Sequence, residues 1–137
     1  MILVDSSVWI DYFRGRVSPQ TDRLESLLDV ERILIGDLIL AEVLQGFRED
    51  RDFRQAKKLM SCFPVLDLGG QDIALLAARN FRSLRALGVT TRKTIDMIIA
   101  TYCIEHDLPL LFDDRDFHPF VEHLGLRSVM PASPAPH

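Results

Sequence analysis

The residues of this chain best suited to chemistry are carboxylates that lie in or beside apolar runs. Four separate segments carry them, and the acids concerned are Asp5, Glu42, Asp96, Asp114 and Asp116. A lone charge among apolar side chains is costly unless something compensates it. If the fold brings these acids together, a divalent cation is the natural compensating group.

The types of ligand available narrow the choice of cation and of reaction. Carboxylate oxygens favour Mg²⁺ or Mn²⁺, and the lack of paired Cys or His near these acids argues against zinc. Such a cation lowers the pKa of its bound water, supplies hydroxide near neutral pH and offsets charge at a phosphodiester under attack. Without a cation, the acids would repel one another and the phosphodiester. The working hypothesis is a magnesium- or manganese-dependent nuclease.

The elements that must position these acids alternate between short apolar strands and helices. Strands are predicted at residues 2–4, 33–35, 64–68 and 109–112, with an edge strand at 127–130. Helices are predicted to start after Asp5 and stop near Gly15, and to span 21–28, 38–47, 50–62, 71–87, 94–106 and 116–124. This order predicts right-handed crossovers and a parallel sheet covered on both faces.

The predicted sheet explains why the acids should meet. In an open parallel sheet, sites form outside the carboxyl ends of the strands. Asp5 follows the first strand directly and residues 113–116 follow the fourth. Asp96 falls in the first turn of its helix and Glu42 in the early part of another. Helices that begin over the same sheet edge would bring all four segments to one pocket.

Each acid taken singly has an ordinary structural explanation. Asp5 could cap a helix, and Asp96 could interact with a helix dipole. Glu42 is aligned with Gln45 and Glu49 and could belong to a solvated helix face. The acids of residues 113–116 could form an acidic turn. Their shared placement, where a strand meets a helix or a helix opens, favours the functional interpretation.

Length and composition predict one globular domain over residues 1–130. The chain has 137 residues, of which 47% are hydrophobic and 26% charged. Residues 131–137, rich in Pro and Ala, are too poor in apolar side chains to fold and are expected to be a disordered tail. A net charge of −4 argues against wholesale wrapping of nucleic acid by a basic surface.

Hydropathy and cysteine usage favour a cytoplasmic protein that does not enter a membrane. The first apolar run is interrupted by Asp5, far short of a signal segment or a membrane span. Cys62 and Cys103 are too few for a disulfide framework and lack zinc-site spacing. Both are expected to be reduced core residues.

Basic side chains provide candidates for phosphate contact. The pair Arg92 and Lys93, just before Asp96, is the one most readily placed beside a substrate phosphate. Two helical stripes are treated as solvated faces by default, with phosphate contact as the less favoured interpretation. They consist of Arg51, Arg54 and Lys58, and of Arg79, Arg82 and Arg85.

Four acidic motifs in this order resemble a known family. Residues 5–10 (DSSVWI), Glu42 within AEVL, Asp96 within IDMIIA, and residues 114–117 (DRDF) are similar to the signature of PIN-domain ribonucleases, particularly VapC toxins of bacterial VapBC toxin–antitoxin systems. The resemblance runs from Ile2 to about Val129. It implies a PIN-like three-layer α/β/α sandwich with a central, mainly parallel sheet. It also implies an Mg²⁺- or Mn²⁺-dependent endoribonuclease, a homodimer and a VapB-like antitoxin that blocks the groove.

The resemblance also implies roles for individual residues. The catalytic acids would be Asp5, Glu42, Asp96, Asp114 and Asp116, and all of these except Glu42 would be metal ligands. Ser7 matches a hydroxyl position that commonly lines the site. Apart from the resemblance, the position of Arg92 and Lys93 just before Asp96 predicts that they bind the RNA substrate. The family often has Thr or Ser where this chain has Phe112.

The resulting hypothesis is a toxin that cleaves single-stranded or loop RNA, because base-specific recognition generally needs unpaired nucleotides. Two alternatives are a housekeeping PIN nuclease with an RNA-processing task and a catalytically silent module that binds nucleic acid or protein. The first would share the chemistry but lack the antitoxin. The second would keep the sheet but bind no metal.

Overall fold

The computed structural model describes residues 1–130, so the predicted tail at 131–137 lies outside the described residues. A four-stranded parallel sheet runs through the centre, in the order β3-β2-β1-β4. The strands are β1 (Ile2–Val4), β2 (Ile33–Gly36), β3 (Val65–Leu66) and β4 (Leu110–Leu111). Every pairing is parallel, as the alternation of strands and helices predicted.

Within residues 1–130, seven α-helices connect and follow the strands. They are α1 (Ser6–Phe13), α2 (Pro19–Leu27), α3 (Asp37–Leu44), α4 (Asp50–Met60), α5 (Gln71–Ala86), α6 (Thr94–Glu105) and α7 (His118–Leu124). None of the described helices is both long and apolar enough to cross a membrane. Asp5 directly precedes α1, Glu42 lies in α3, and Asp96 lies in the first turn of α6. The placement of these three helices therefore decides the geometry of the site.

The core lies around the central strands. All residues of β1 and β2 are buried, as expected for strands covered on both faces. Trp9 of α1 is fully buried and packs against the rings of Tyr12, Phe13 and Phe63. Phe112 is also buried and contacts the ring of Phe117. Aromatic packing directly after β1 and β4 therefore helps to fix the carboxyl ends of both strands.

Three local expectations differ from the structure. Residues 127–130 form one parallel bridge, Leu110 with Ser128, rather than an edge strand. The predicted helix at 116–124 is divided into a 3₁₀ turn at Arg115–Phe117 and α7, which has Pro119 in its first turn. Cys103 is buried, but Cys62 is exposed beyond the end of α4, where the chain already turns toward β3.

Candidate metal centre

Asp5 stands where β1 ends and α1 begins. Its backbone N–H donates to the carbonyl of Leu111 (2.9 Å), which fixes it beside the end of β4. Its Oδ2 caps α1, accepting from the backbone N–H of Ser7 (3.2 Å) and the Ser7 hydroxyl (2.7 Å). Its Oδ1 is buried without a hydrogen-bond partner, and the residue is only 2% exposed. Asp5 therefore caps the helix and also keeps one oxygen for a ligand.

Ser7 joins the ends of the neighbouring strands β1 and β4. Its hydroxyl donates to Asp5 and accepts from the backbone N–H of Asp113 (3.3 Å). Asp113 itself is exposed and participates here through its backbone. The hydroxyl thus holds the loop after β4 against the start of α1.

Asp96 lies in the first turn of α6 and is 6% exposed. Its Oδ2 is buried and has no hydrogen-bond partner. One carboxylate oxygen from each of Asp96, Asp114 and Asp116 can be chosen so that all three lie within 4.8 Å of one another. This is the size of set that one cation could bridge.

The loop after β4 delivers the last two acids. Asp114 Oδ1 caps the 3₁₀ turn by accepting from the backbone N–H of Asp116 (2.9 Å). Its Oδ2 accepts from Lys93 Nζ (3.2 Å), a residue placed directly before α6. The acidic turn and the basic residue predicted to bind substrate therefore meet at one point.

Glu42 differs from the neighbours with which it was aligned. Gln45 and Glu49 are exposed, whereas Glu42 is half-buried and its Oε1 accepts from the Ser6 hydroxyl (3.2 Å). Gly36, the last residue of β2 and the N-cap of α3, lies where an added Cβ would collide with the side chain of Leu68. The close approach of strand and loop at Gly36 lets α3 start at the sheet edge and point Glu42 toward α1.

The electrostatics show that the acids form one group. Burial, followed by the charge of Asp5, raises the pKa of Asp96 to about 7. Burial raises the pKa of Asp5, with a further contribution from Asp114, and burial followed by the charge of Asp5 raises the pKa of Glu42. The hydrogen bond to Asp114 raises the pKa of Lys93. Lys93 is the one cation paired with these five acids among the described residues, so the group has an excess of negative charge.

A divalent cation fits this donor set. The acids provide only oxygen ligands, and two of them, Asp5 and Asp96, keep a buried oxygen with no hydrogen bond. Burial raises the pKa of the nearby Cys103 to about 12, so its thiol stays protonated and is unsuited to act as a nucleophile. The arrangement can hold a hard cation beside a phosphodiester.

The structure separates the predicted site residues into those that meet and those that do not. Asp96, Asp114 and Asp116 form the compact set, while Asp5 and Glu42 interact with it through their charges. Arg92 is exposed, with no ion pair to any described residue.

Sequence reasoning missed Ser6, whose hydroxyl orients Glu42. The only sequence signal for it was a second hydroxyl residue directly after Asp5.

Comparison with known sequences assigns the family. The chain matches the PIN domain family over residues 2–120. It is 32% identical over 131 residues to VapC ribonuclease Mb1587 of Mycobacterium bovis, covering 94% of this chain and 98% of the relative. Ribonuclease VapC11 of Mycobacterium tuberculosis matches with the same identity and coverage.

Solved structures share the fold at low sequence identity. VapBC2 of Rickettsia felis, bound to a DNA fragment from its promoter, has a TM-score of 0.71 at 17% identity and covers 93% of this chain and 97% of that one. Mycobacterium tuberculosis VapC20, a sarcin-ricin loop cleaving toxin, has a TM-score of 0.68 at 16% identity and covers 96% and 100%. The predicted PIN-like α/β/α fold is confirmed. With the sequence matches, this places the chain in the PIN-domain family and, within it, among the VapC ribonucleases.

Proposed function

We propose that this PIN-domain ribonuclease is a Mg²⁺- or Mn²⁺-dependent endoribonuclease that acts as the toxin of a toxin–antitoxin pair. The observation that carries the metal dependence is the buried, unpartnered oxygen on each of Asp5 and Asp96, within one group of five acids. Structural groups of this kind are normally satisfied by hydrogen bonds. Here a cation would satisfy them.

The roles of the acids follow from their surroundings. Asp96, Asp114 and Asp116 would hold the cation, with Asp5 binding it directly or through water. When bound, the cation would activate a water molecule and offset the charge that develops on the phosphate. Ser7 holds Asp5 in its orientation through the 2.7 Å hydrogen bond.

Glu42 is suited to accept a proton from the attacking water. Its Oε1 is occupied by the Ser6 hydroxyl, and its raised pKa makes it a better base than an ordinary exposed glutamate. Oε2 would accept the proton. Lys93, held at the pocket by Asp114, supplies positive charge for the substrate phosphate, and Arg92 lies next to it on the open surface.

The proposal includes the molecules with which the protein works. The substrate is single-stranded or loop RNA, whose bases are accessible to protein groups. VapC20 is described as cleaving a loop, and VapBC2 is a toxin–antitoxin complex, which support an RNA target and a VapB-like antitoxin for this chain. A homodimer and a cytoplasmic location complete the proposal, since cellular RNA is the target.

The proposal is tested by RNA cleavage with and without metal. Purified protein, free of antitoxin, should cut single-stranded RNA in Mg²⁺ or Mn²⁺ and lose this activity in EDTA. Asp96→Asn should be inactive under the same conditions, whereas Asp107→Asn, an exposed acid at the other end of the sheet, should cleave like wild type. Cleavage that persists in EDTA would contradict the metal-dependent mechanism.

A further inference from the structure

The exposed face of α5 carries an unusual concentration of positive charge. Arg79, Arg82 and Arg85 are exposed, and none forms an ion pair with a described residue. Residues 73–95 contain five Lys or Arg and no Asp or Glu, although the whole chain has a net charge of −4. This long basic segment is therefore a local exception to an acidic protein.

The same face combines positive charge with exposed apolar surface. A shallow depression along the helix is lined by the three arginines together with Leu75 and Ala78. Leu75 is 64% exposed, although it is a large apolar side chain. Arg85 lies over the ring of Phe81, with its guanidinium carbon 5.3 Å from the ring centre. This contact holds the guanidinium in a defined orientation while leaving it accessible.

The position of α5 connects this face to the metal centre. Asn80 Nδ2 donates to Thr101 Oγ1 (2.9 Å), which pairs the middle of α5 with the later half of α6. Only residues 87–93 join the two helices, so they run antiparallel. The last turn of α5 is therefore level with the first turn of α6, where Asp96 lies. Along the chain, Arg92 and Lys93 lie between the arginines of α5 and Asp96.

From these observations we infer that the α5 face, defined by Arg79, Arg82 and Arg85, binds the phosphate backbone of RNA beyond the cleaved bond. The inference rests on the proposed ribonuclease function and adds a substrate surface to it. Arg79 and Arg85 are about 9 Å apart along the helix axis, so one strand could contact several of these side chains. Arginine contacts to phosphate position a strand without reading its sequence.

Charge argues against the other occupants of this face. A second copy using the same α5 surface would bring like charges together, which opposes association. An acidic protein segment has suitable charge, but it would not account for the continuity of the arginines with the basic pair beside the acids. RNA accounts for both.

A matched pair of triple variants tests the inference. Arg79→Gln/Arg82→Gln/Arg85→Gln removes the α5 face, and Arg51→Gln/Arg54→Gln/Lys58→Gln removes the same charge from α4, whose stripe is interleaved with Asp50 and Asp52. Exposed substitutions by Gln, a good helix former, should preserve the fold, which circular dichroism will verify. The probe is a fluorescein-labelled single-stranded RNA of about 20 nucleotides, measured by anisotropy in EDTA so that it is not cut.

The α5 variant should bind this RNA roughly 10- to 100-fold more weakly at low salt, and the salt dependence of log K should become shallower by about 2 for three lost contacts. The α4 variant should stay within about threefold of wild type, because it shares only the change in net charge. Equal losses in both variants, or no RNA binding by wild type, would overturn the inference. The inference would also be overturned if the α5 variant no longer bound poly-L-glutamate, which wild type binds, but kept its full affinity for RNA.

Cleavage distinguishes this inference from the proposed function. Suppose that wild type cuts the RNA of about 20 nucleotides in Mg²⁺ and that the α5 variant has the same KM for it. The assignment of RNA binding to the α5 face is then wrong, and the ribonuclease proposal stands. If RNA binding depends on the α5 face but no metal supports cleavage by wild type, the proposed metal-dependent chemistry is wrong, and the assignment of RNA binding to the α5 face stands. A change from dimer to monomer in the α5 variant, with unchanged RNA affinity, would instead assign the face to a second copy and overturn the inference.

Discussion

The two ends of the central sheet use acidic residues in opposite ways. At the amino ends of the strands, Glu31 and Asp107 lie at the surface, and each is paired with a cation. The N-terminal ammonium donates to Glu31 (2.7 Å), and Arg127 Nε donates to Asp107 (2.9 Å). The hydrogen bond from the N-terminus lowers the pKa of Glu31. These are ordinary surface ion pairs.

At the carboxyl ends, Asp5 and Asp96 are buried, and their charges interact with those of Glu42 and Asp114. Asp5 and Asp96 each keep an oxygen without a partner, and the pKa of both is raised, chiefly by burial. Such a group lowers the stability of the folded protein when no cation is bound. Charged groups that destabilise the fold when no ligand is bound indicate a functional site. The paired charges at the opposite end give no such indication.

The largest effect should come from neutralising an acid at the carboxyl end. Asp96→Asn should reduce metal-dependent RNA cleavage on the order of 10³-fold or more, because it removes a ligand charge and keeps the side-chain shape. Single-turnover cleavage of a defined RNA would measure the loss. Turnover by Asp96→Asn within a factor of a few of wild type would contradict the proposed difference between the two ends of the sheet.

The same substitution should have the reverse effect on stability. Between about pH 4 and pH 7 the folded state holds a proton on Asp96 that the unfolded chain has released, so the free energy of unfolding falls as pH rises through this range. Above about pH 7 the folded state carries the full repulsion. In EDTA at about pH 8, Asp96→Asn should therefore stabilise the fold by on the order of 1–3 kcal/mol.

Thermal unfolding at several pH values would measure this gain. For a chain of this size each kcal/mol corresponds to roughly 3–6 °C in Tm. The difference between variant and wild type should shrink as the pH falls toward 5. A variant less stable than wild type at about pH 8 would show that the buried charge is already compensated within the protein.

A smaller effect is expected from the basic residues beside the acids. Lys93→Gln should raise KM for RNA by about tenfold, or about 1.4 kcal/mol, because its ammonium is already held at the pocket by Asp114. Arg92→Gln should raise KM less, since Arg92 is exposed and forms no ion pair with a described residue. Steady-state kinetics of both variants would order the two contributions. A larger effect for Arg92 would contradict this assignment.

The smallest effect belongs to the amino end. Asp107→Asn should change the free energy of unfolding by less than about 0.5 kcal/mol, because the ion pair with Arg127 is exposed. Asn also tolerates the left-handed backbone at this position, where φ is +50°. Chemical denaturation would measure the difference. A cost comparable with the gain from Asp96→Asn would remove the distinction between the ends.

Sequence reasoning located the strands and the sheet edge well because short continuous apolar runs ending in Asp-Ser or Asp-Asp leave few alternatives. It could not give the pairing of Lys93 with Asp114 or of Ser6 with Glu42, since these contacts depend on how α1, α3 and α6 start around the edge. It also placed Cys62 in the core. An apolar neighbourhood in sequence does not reveal where a helix ends and turns outward.

Titration calorimetry with Mn²⁺ at about pH 8 tests the central claim most directly, because the acids are then ionised and no RNA is needed. Wild type and Asp107→Asn should bind the cation with the same affinity, whereas Asp96→Asn should lose at least about tenfold in affinity. Binding to wild type should also weaken as the pH falls below 7, where protons compete for Asp96. No heat at millimolar Mn²⁺, or equal binding by wild type and Asp96→Asn, would contradict the account.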